Sequence, residues 1–277
     1  TASDADWWLA VAVVAPDRTV RCLPHIPVAM TDQLYLEDST VGEFEATVER
    51  TVSDDRVVLD RTHFYPEGGG QPADHGTIRS DDDVWTVVDV QKHDGIHHYL
   101  EPAAGTEANF PDAGSTVTGA LDWDRRYSHM RYHTAQHLLS ALLLNEYDAE
   151  TTGNQVRAHK ATLDCAYERF HSDELEHVEA RMNELVEQAR PVEWYVMDRE
   201  EAEAQLDPER TRLSLLPDSI TQIRIVEIGP ADGDDEPFDR TACAGTHVSN
   251  TEEIGAVTVT GRETKGSEEE RITFELG

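Results

Sequence analysis

The stretch HTAQHLLSALLL, residues 133–144, decides how this chain must fold. Its apolar residues recur with the period of an amphipathic helix, and we predict a helix over 131–145. Because His133 and His137 are four residues apart, their imidazoles lie on one face of that helix, one turn from each other. A single metal ion can bridge two imidazoles in this arrangement.

A second pair of metal-binding side chains lies far along the chain, in CAGTHV at residues 243–248. We expect Gly245 to let the backbone turn so that Cys243 and His247 converge. Two helical nitrogens with a thiolate and an imidazole on a loop form a ligand set suited to one Zn²⁺ per chain. A metallopeptidase is excluded, since HTAQH lacks the glutamate of the HExxH pattern.

The composition describes an acidic protein with enough apolar residues for a core. The chain has 277 residues, and its 56 Asp and Glu against 23 Lys and Arg give a net charge of −33. The only lysines are Lys92, Lys160 and Lys265. An evenly spread acidic excess with few lysines predicts a halophilic protein, because concentrated salt reduces the screening length to about 3 Å and mutes self-repulsion.

Cysteine use and apolar runs favour a reducing, cytoplasmic setting. Three cysteines cannot form a disulfide framework. No apolar run approaches the ~20 residues that span a bilayer, so we expect no membrane partner. Residues 1–29 carry 3 acidic side chains, whereas the other 248 residues carry 53. We therefore hypothesise that 1–29 is an extension that is not native, and that translation starts at Met30.

The rest of the chain is predicted to form two domains of an α+β protein. Residues 30–121 read as short alternating strands with polar turns, which predicts a small antiparallel β-barrel. Within it, the glycine-rich segment 64–76 predicts a loop whose backbone can approach another group closely. Residues 122–277 combine helices with antiparallel strands. The second helix is predicted at 173–189, capped by Ser172 or Asp173.

Several segments resemble one family, the free-standing alanyl-tRNA editing proteins (AlaX) in their medium-length form. These proteins resemble the editing domain of alanyl-tRNA synthetase. The matching stretches run in family order from Leu34 to Leu276 and are LYLEDS, FEATV, FYPEGGGQPADHG, HMRYHTAQHLL, CAGTHVSNTEEIG and KGSEEERI. The resemblance implies a glycine-rich barrel followed by a zinc-binding editing domain like that common to threonyl- and alanyl-tRNA synthetases. Its zinc ligands match His133, His137, Cys243 and His247.

The activity that this resemblance implies is hydrolysis of mischarged tRNA(Ala), chiefly seryl-tRNA(Ala), with glycyl-tRNA(Ala) as a further candidate. No nucleotide cofactor is implied. Thr152, with Thr151 as second choice, matches the region where the family recognises serine through a hydroxyl or amide. The alternative is that both are ordinary turn threonines. Gln71 is expected to face the editing pocket or the acceptor end of tRNA, since it offers both a donor and an acceptor.

RNA binding by so acidic a chain requires local basic or bare surfaces. Glycine allows RNA to approach the backbone closely, and arginine suits stacking and bidentate phosphate contacts. Because lysine is scarce in this chain, a lysine in a segment that matches the family is a candidate for a phosphate contact. The predicted RNA-binding residues are Gly69, Gly70, Arg125, Arg126, Arg131 and Lys265.

The sequence leaves the role of the metal and the tRNA open. Four side-chain ligands fill a tetrahedral zinc, which is the arrangement of structural sites. Catalysis would then need a fifth position, a displaced ligand or a zinc that only shapes the pocket. The rival functions are an editing hydrolase of the threonyl type and a non-catalytic zinc-stabilised RNA-binding module.

Overall fold

The computed structural model describes residues 31–53, 55–81, 83–104, 109–208, 210–211, 213, 216–231 and 235–277. The predicted extension 1–29 lies outside these residues. The described residues form two compact units. The barrel unit comprises 31–67 and 72–126, and the α+β unit comprises 68–71 and 127–277 within the described ranges. None of the helices described is both long and apolar enough to cross a membrane.

The barrel unit consists of short strands, as the alternating sequence predicted. Its strands are β1 (Asp32–Gln33), β2 (Glu43–Ser53), β3 (Arg56–Leu59), β4 (Arg61–Thr62), β5 (Gly76–Arg79), β6 (Val84–Lys92), β7 (Ile96–Pro102) and β8 (Thr116–Leu121). Six of them close into an antiparallel barrel in the order β2-β3-β7-β6-β5-β8, while β1 and β4 form a separate parallel pair. The predicted small antiparallel barrel is therefore confirmed.

Alternation along each strand fills the barrel interior. In β2, Phe44, Ala46 and Val48 are buried, whereas most intervening residues are exposed or half-buried. Trp85 and Val87 are also buried in the barrel interior, and they lie on β6, which is three strands away from β2 in the closed barrel. These side chains belong to one hydrophobic cluster, which gives the unit a core of its own.

A buried ion pair holds the loops of this unit together. Arg126 is 0% exposed and Asp74 is 1% exposed. The guanidinium contacts both oxygens of the Asp74 carboxylate, with Nε–Oδ2 at 3.0 Å, and also donates to the backbone oxygens of Ser39 and His63. The other Asp74 partner is the amide of Tyr65, which donates to Oδ2 at 2.7 Å. The two charges thus compensate each other in the protein interior, where water cannot solvate them.

The α+β unit contains the longer helices and two antiparallel sheets. Its elements, with the first residues of α1 still in the barrel unit, are α1 (Trp123–Tyr147), β9 (Thr151–Arg157), β10 (Lys160–Cys165), α2 (Ser172–Glu187), β11 (Val192–Asp198), α3 (Arg199–Gln205), β12 (Gln222–Ile228), β13 (Asp239–Ala242), β14 (Val257–Thr264) and β15 (Glu270–Leu276). The sheet orders are β14-β15-β10-β9 and β11-β12-β13. Leu138 and Leu142 of α1 share one core with Val226 of β12 and Phe274 of β15.

Two helix boundaries differ from the prediction. Helix α1 begins at Trp123, eight residues before the predicted start, because the polar run after Asp122 hides the helical period. The Asp122 carboxylate accepts from the Arg125 amide at 3.2 Å, as an N-terminal cap does. Helix α2 is capped by His171, whose amide donates to the Glu174 carboxylate at 2.8 Å. The predicted caps Ser172 and Asp173 lie within the first turn instead.

We predict that Asp74→Ala lowers the free energy of unfolding by about 3–5 kcal/mol, since it leaves the Arg126 charge buried without its partner. The measurement is guanidinium-induced unfolding of both proteins. Asp94→Ala, which removes an exposed carboxylate that pairs with Arg50 and His97, is the matched control and should have a much smaller effect. Equal effects of the two substitutions would contradict the structural role of the buried pair.

Candidate metal centre

Two segments of the α+β unit bring four metal-binding side chains to one point. Helix α1 supplies His133 and His137, and the turn after β13 supplies Cys243 and His247. One donor atom from each residue lies within 4.8 Å of the others. The Cys243 Sγ is 3.6 Å from His133 Nε2 and 3.4 Å from His247 Nε2. Ligand atoms around a tetrahedral zinc are about 3.3–3.8 Å apart, so this cluster could hold one metal ion.

Gly245 permits this convergence by leaving room for an imidazole. A Cβ atom at this position would lie 2.0 Å from His133 Cε1 and 2.3 Å from Nδ1, well inside van der Waals contact. Cys243 and His247 converge as predicted, but Gly245 does not have a left-handed φ, and its role is to leave space for the His133 ring. The glycine is needed because any side chain at residue 245 would displace the His133 ring.

Gln71 fixes which nitrogen of His133 faces the cluster. Its Oε1 accepts from the backbone N–H of Thr246 at 3.2 Å, and because a backbone N–H can only donate, the Gln71 atom on this side must be the oxygen. The same oxygen lies 2.9 Å from His133 Nδ1, which must therefore carry the hydrogen. Gln71 Nε2 in turn donates to Thr246 Oγ1 at 2.9 Å. Nε2 of His133 is left as the ligand atom.

Thr134 does the same for His247. Its hydroxyl donates to the carbonyl oxygen of Met130 at 2.9 Å, so its oxygen must accept from other partners. His247 Nδ1 lies 3.1 Å from that oxygen, and the Val248 amide donates to it at 3.3 Å. His247 therefore also presents Nε2 to the cluster. Thr134 is the residue after His133, so these bonds attach the turn to helix α1 beside the first histidine ligand.

Asp239 lies behind His137, where it is held by an arginine. The Asp239 Oδ2 is 3.3 Å from His137 Nδ1. Arg210 binds the same carboxylate through two hydrogen bonds, each 2.7 Å long. A carboxylate behind an imidazole orients the ring and increases its basicity as a metal ligand. His133 and His247 thus have a hydrogen-bond partner at Nδ1 and offer Nε2, whereas His137 has the Asp239 carboxylate close to Nδ1 without a hydrogen bond of good geometry.

Arg224 holds the backbone of the metal-binding turn. This side chain is buried, and its Nη1 lies 2.7 Å from the carbonyl oxygen of Cys243 and 3.2 Å from that of Gly245. Strand β12 therefore positions the turn through a guanidinium as well as through the backbone bond from the Cys243 amide to the Arg224 oxygen.

The protonation states suit a cation. Burial alone would raise the pKa of the Cys243 thiol, but the three imidazoles, His133 first among them, hold it well below its usual range. Burial lowers the pKa of His247 to about 3, with His133 adding to the effect. Burial opposes protonation of His137, yet Cys243 and Asp239 raise its pKa. The lowered pKa of Cys243 favours the thiolate form that binds a metal, whereas the raised pKa of His137 means that protons compete with a metal for this ring.

The glycine loop forms a tight turn against β9. Gly68 and Gln71 exchange two backbone hydrogen bonds, and Gly69 and Gly70 have φ angles of 58° and 79°. Positive φ at both central residues is the type I′ turn that glycine allows without strain. A Cβ on Gly70 would lie 2.5 Å from Asn154 Oδ1. The close approach that the sequence predicted is made here to a protein strand.

The two candidate threonines begin β9 and have different partners. Thr152 Oγ1 donates to the Glu269 carboxylate at 2.7 Å. Thr151 Oγ1 is 2.5 Å from the hydroxyl of Ser140, a residue of α1 that follows the metal-binding turns of the helix. Both side chains are half-buried and lie in a strand, not in a turn.

The predicted RNA-binding cations have unequal exposure. Lys265 is exposed, whereas Arg125 is half-buried and donates to the Ala73 oxygen. Arg131 is also half-buried and donates to backbone oxygens at residues 253, 254 and 277. The guanidinium of Arg126 is fully buried, and this burial is not compatible with a phosphate contact.

Four residues around the centre were missed by sequence reasoning. They are Thr134, Arg210, Arg224 and Asp239. Asp239 lies four residues before Cys243, and this spacing was the one signal available in the sequence. The arginines carried no signal, because an arginine that supports a turn through backbone oxygens has no characteristic spacing.

Comparison with known proteins covers nearly the whole described chain. Residues 31–125 match the family model for tRNA synthetases class II (A), and residues 223–273 match that for the threonyl and alanyl tRNA synthetase second additional domain. The chain is 37% identical over 232 residues to an alanine–tRNA ligase of Pyrobaculum calidifontis, covering 83% of this chain and 25% of the ligase.

Full-length similarity is found to smaller proteins. An alanyl-tRNA editing protein AlaX-M of Methanosarcina barkeri is 41% identical over 250 residues, which are 89% of this chain and 99% of the relative. The AlaX-M protein of Methanosarcina acetivorans is 39% identical over the same shares of the two chains. With this identity over almost the entire length of these relatives, the chain belongs to the AlaX-M family of alanyl-tRNA editing proteins.

Proposed function

We propose that this protein is a trans-editing hydrolase that deacylates mischarged tRNA(Ala), chiefly seryl-tRNA(Ala), with glycyl-tRNA(Ala) as a second substrate. One observation carries the proposal. Gln71 of the glycine loop, the two helical histidines and the Cys243–His247 turn meet at one centre, in a chain whose full-length relatives are named alanyl-tRNA editing proteins. We further propose that the ion held there is one Zn²⁺ per chain, since three imidazoles and a thiolate are typical zinc ligands.

The names of the relatives favour the alanyl reaction over the threonyl one. One matching domain model is shared by both synthetases, but the relatives matched over their full length are named for alanine. A zinc-stabilised module without activity has the four-ligand centre in its favour, because filled tetrahedral sites are usually structural. The distinction between module and hydrolase therefore depends on turnover.

The proposed reaction is hydrolysis of the ester between an amino acid and the terminal ribose. A zinc ion at the centre would supply Lewis acidity, which polarises a carbonyl and acidifies nearby water. The protein's own part is to keep the ligand atoms in place. Gln71 and Thr134 hold His133 and His247 by Nδ1, Asp239 lies 3.3 Å behind His137, and Arg224 holds the turn that carries Cys243.

Serine would be recognised through its hydroxyl group. The hydrogen of the Thr152 hydroxyl is donated to Glu269, so the oxygen is oriented to accept from another donor. A seryl side chain can supply that donor, and an alanyl side chain cannot. We therefore propose Thr152 as the first candidate for substrate recognition and Thr151 as the second.

Surface cations and glycine backbone are the proposed contacts with tRNA. Of the predicted RNA-binding residues, exposed Lys265 is the best placed for a phosphate, with half-buried Arg125 and Arg131 and the Gly69–Gly70 turn as further candidates. The domain limits 30–121 and 122–277 stay a prediction. So do the halophilic character and the cytoplasmic location.

The test of the function is a deacylation assay in concentrated salt, with seryl-, glycyl- and alanyl-tRNA(Ala) and seryl-tRNA(Thr), before and after treatment with a chelator. Hydrolysis of seryl- and glycyl-tRNA(Ala) with alanyl-tRNA(Ala) spared is the expected result. Turnover of seryl-tRNA(Thr) in its place would support the threonyl type, and tRNA binding without turnover would support the non-catalytic module.

We predict that His133→Ala loses metal and activity together, because it removes one ligand from the centre. Zinc should fall from about one ion per chain to a small fraction, and deacylation should fall by at least about 100-fold. Zinc is measured by elemental analysis of the purified protein. His177→Ala removes an exposed histidine that pairs with Glu146 and should change neither quantity. Full activity in the metal-free variant would exclude a role for the ion.

We predict that Asp239→Asn weakens zinc binding by about 10–100-fold, because the amide cannot replace the carboxylate behind His137. Competition with a chromogenic chelator measures the affinity. The control is Glu227→Gln in the adjacent strand, whose carboxylate binds Arg240 and Tyr195 away from the centre. An unchanged zinc affinity for Asp239→Asn would show that the negative charge behind His137 is not needed.

We predict that Thr152→Val lowers the ratio of seryl- to alanyl-tRNA(Ala) turnover by about 3- to 10-fold, the value of one neutral hydrogen bond. Zinc content should stay the same. Thr162→Val in the neighbouring strand β10 is the control for loss of a hydroxyl. An unchanged ratio would remove Thr152 from the pocket, and a fall caused by Thr151→Val instead would move the role to that residue.

A further inference from the structure

The edge of the three-stranded sheet carries an apolar patch beside the metal-binding turn. The Trp194 patch consists of Trp194 and Val196 of edge strand β11, which are 41% and 38% exposed. Residues i and i+2 of a strand project from the same face. Val196 is paired with Arg224 of β12, and Trp194 with Val226. The patch therefore shares a sheet face with the arginine that holds the turn.

The Trp194 ring rests directly on that arginine. The Arg224 Cζ lies 5.1 Å from the centre of the indole ring, a distance typical of a cation–π contact. Arg224 Nη1 is 2.7 Å from the Cys243 carbonyl oxygen. With one C–N bond between Cζ and Nη1, the ring centre is within roughly 9 Å of that oxygen. An exposed aromatic ring thus rests on the arginine that holds the candidate metal-binding turn.

We propose that Trp194 positions the substrate by stacking on the terminal base of the tRNA acceptor end. This inference rests on the proposed function. In an aminoacyl-tRNA, a single ribose separates the ester from the terminal adenine. A residue that stacks on this base must therefore lie about one nucleoside away from the hydrolytic centre, and the Trp194 ring lies within roughly 9 Å of the Cys243 carbonyl oxygen.

The chemistry of the patch favours a nucleobase over a protein partner. Two side chains are far less than the roughly 800 Å² per partner of a stable protein interface, whereas one indole face matches one base. The net charge of −33 and high salt both weaken phosphate contacts. Base stacking does not depend on charge, and single-stranded RNA ends are commonly bound by aromatic side chains.

The contact with Arg224 also suits this role. A ring already held on one face loses little conformational freedom when a base packs on the other face. The alternative is that Trp194 only shields Arg224 from water. Shielding requires an apolar side chain of similar size, but stacking requires an aromatic ring.

The experiment compares Trp194→Leu, which keeps an apolar cover over Arg224, with Trp194→Tyr, which keeps a ring. Single-turnover deacylation of seryl-tRNA(Ala) is measured against enzyme concentration. We expect the leucine variant to raise the half-saturating concentration by about 5- to 100-fold with unchanged zinc content, and the tyrosine variant to stay within about 3-fold of the wild type. An unchanged half-saturating concentration for leucine, or a loss of zinc in both variants, would overturn the proposal.

A second measurement does not depend on hydrolysis. Fluorescence anisotropy gives the affinity of each protein for uncharged tRNA(Ala), intact or lacking its terminal adenosine. Removal of the adenosine should weaken binding to the wild type and leave binding to Trp194→Leu nearly unchanged. Equal losses for both proteins would refute stacking. If the wild type binds tRNA with this pattern but hydrolyses no aminoacyl-tRNA, the proposed function fails and the stacking proposal stands.

Discussion

Three imidazoles converge on one thiolate, and each ring has a polar side chain next to its second nitrogen. The three partners come from different elements of the α+β unit. Gln71 lies in the glycine loop, Thr134 in α1 and Asp239 at the start of β13. The geometry of the centre therefore depends on the loop, the helix and the sheet at once. A metal ion that binds here would therefore stabilise the folded arrangement of all three elements, because the unfolded chain has no such site.

The charges around the centre are balanced within the protein. The half-buried thiol of Cys243 faces three imidazoles, and the buried carboxylate of Asp239 is bound by Arg210. Burial opposes ionisation of Asp239, but Arg210 and His137 lower its pKa. Buried pairs are screened by salt far less than surface pairs. A centre built this way keeps its electrostatics in concentrated salt, where surface interactions of so acidic a protein are weak.

Sequence alone was sufficient for those features whose cause is local. The i, i+4 spacing gave His133 and His137 a common face, and alternation along β2 predicted the barrel strands. Other features have causes that are far away in sequence. Gln71 offers the same groups wherever it lies, and only the fold reveals that its oxygen meets His133 Nδ1. Arg126 carried the charge expected of an RNA contact, but Asp74, 52 residues earlier, requires it in the interior. The early start of α1 was hidden because the residues that follow Asp122 are mostly polar and show no apolar period.

The glycine loop illustrates how one local constraint serves the distant centre. Positive φ at Gly69 and Gly70 reverses the chain within two residues, and the absence of a side chain at Gly70 lets the loop lie against β9. The Gly70 oxygen accepts from the Val156 amide at 2.7 Å, which fastens the turn to the strand. Gln71 is the next residue, so its amide group reaches His133 and Thr246 from a backbone that has little freedom. In this chain the two glycines therefore support the candidate metal centre indirectly, because the turn that they form positions Gln71.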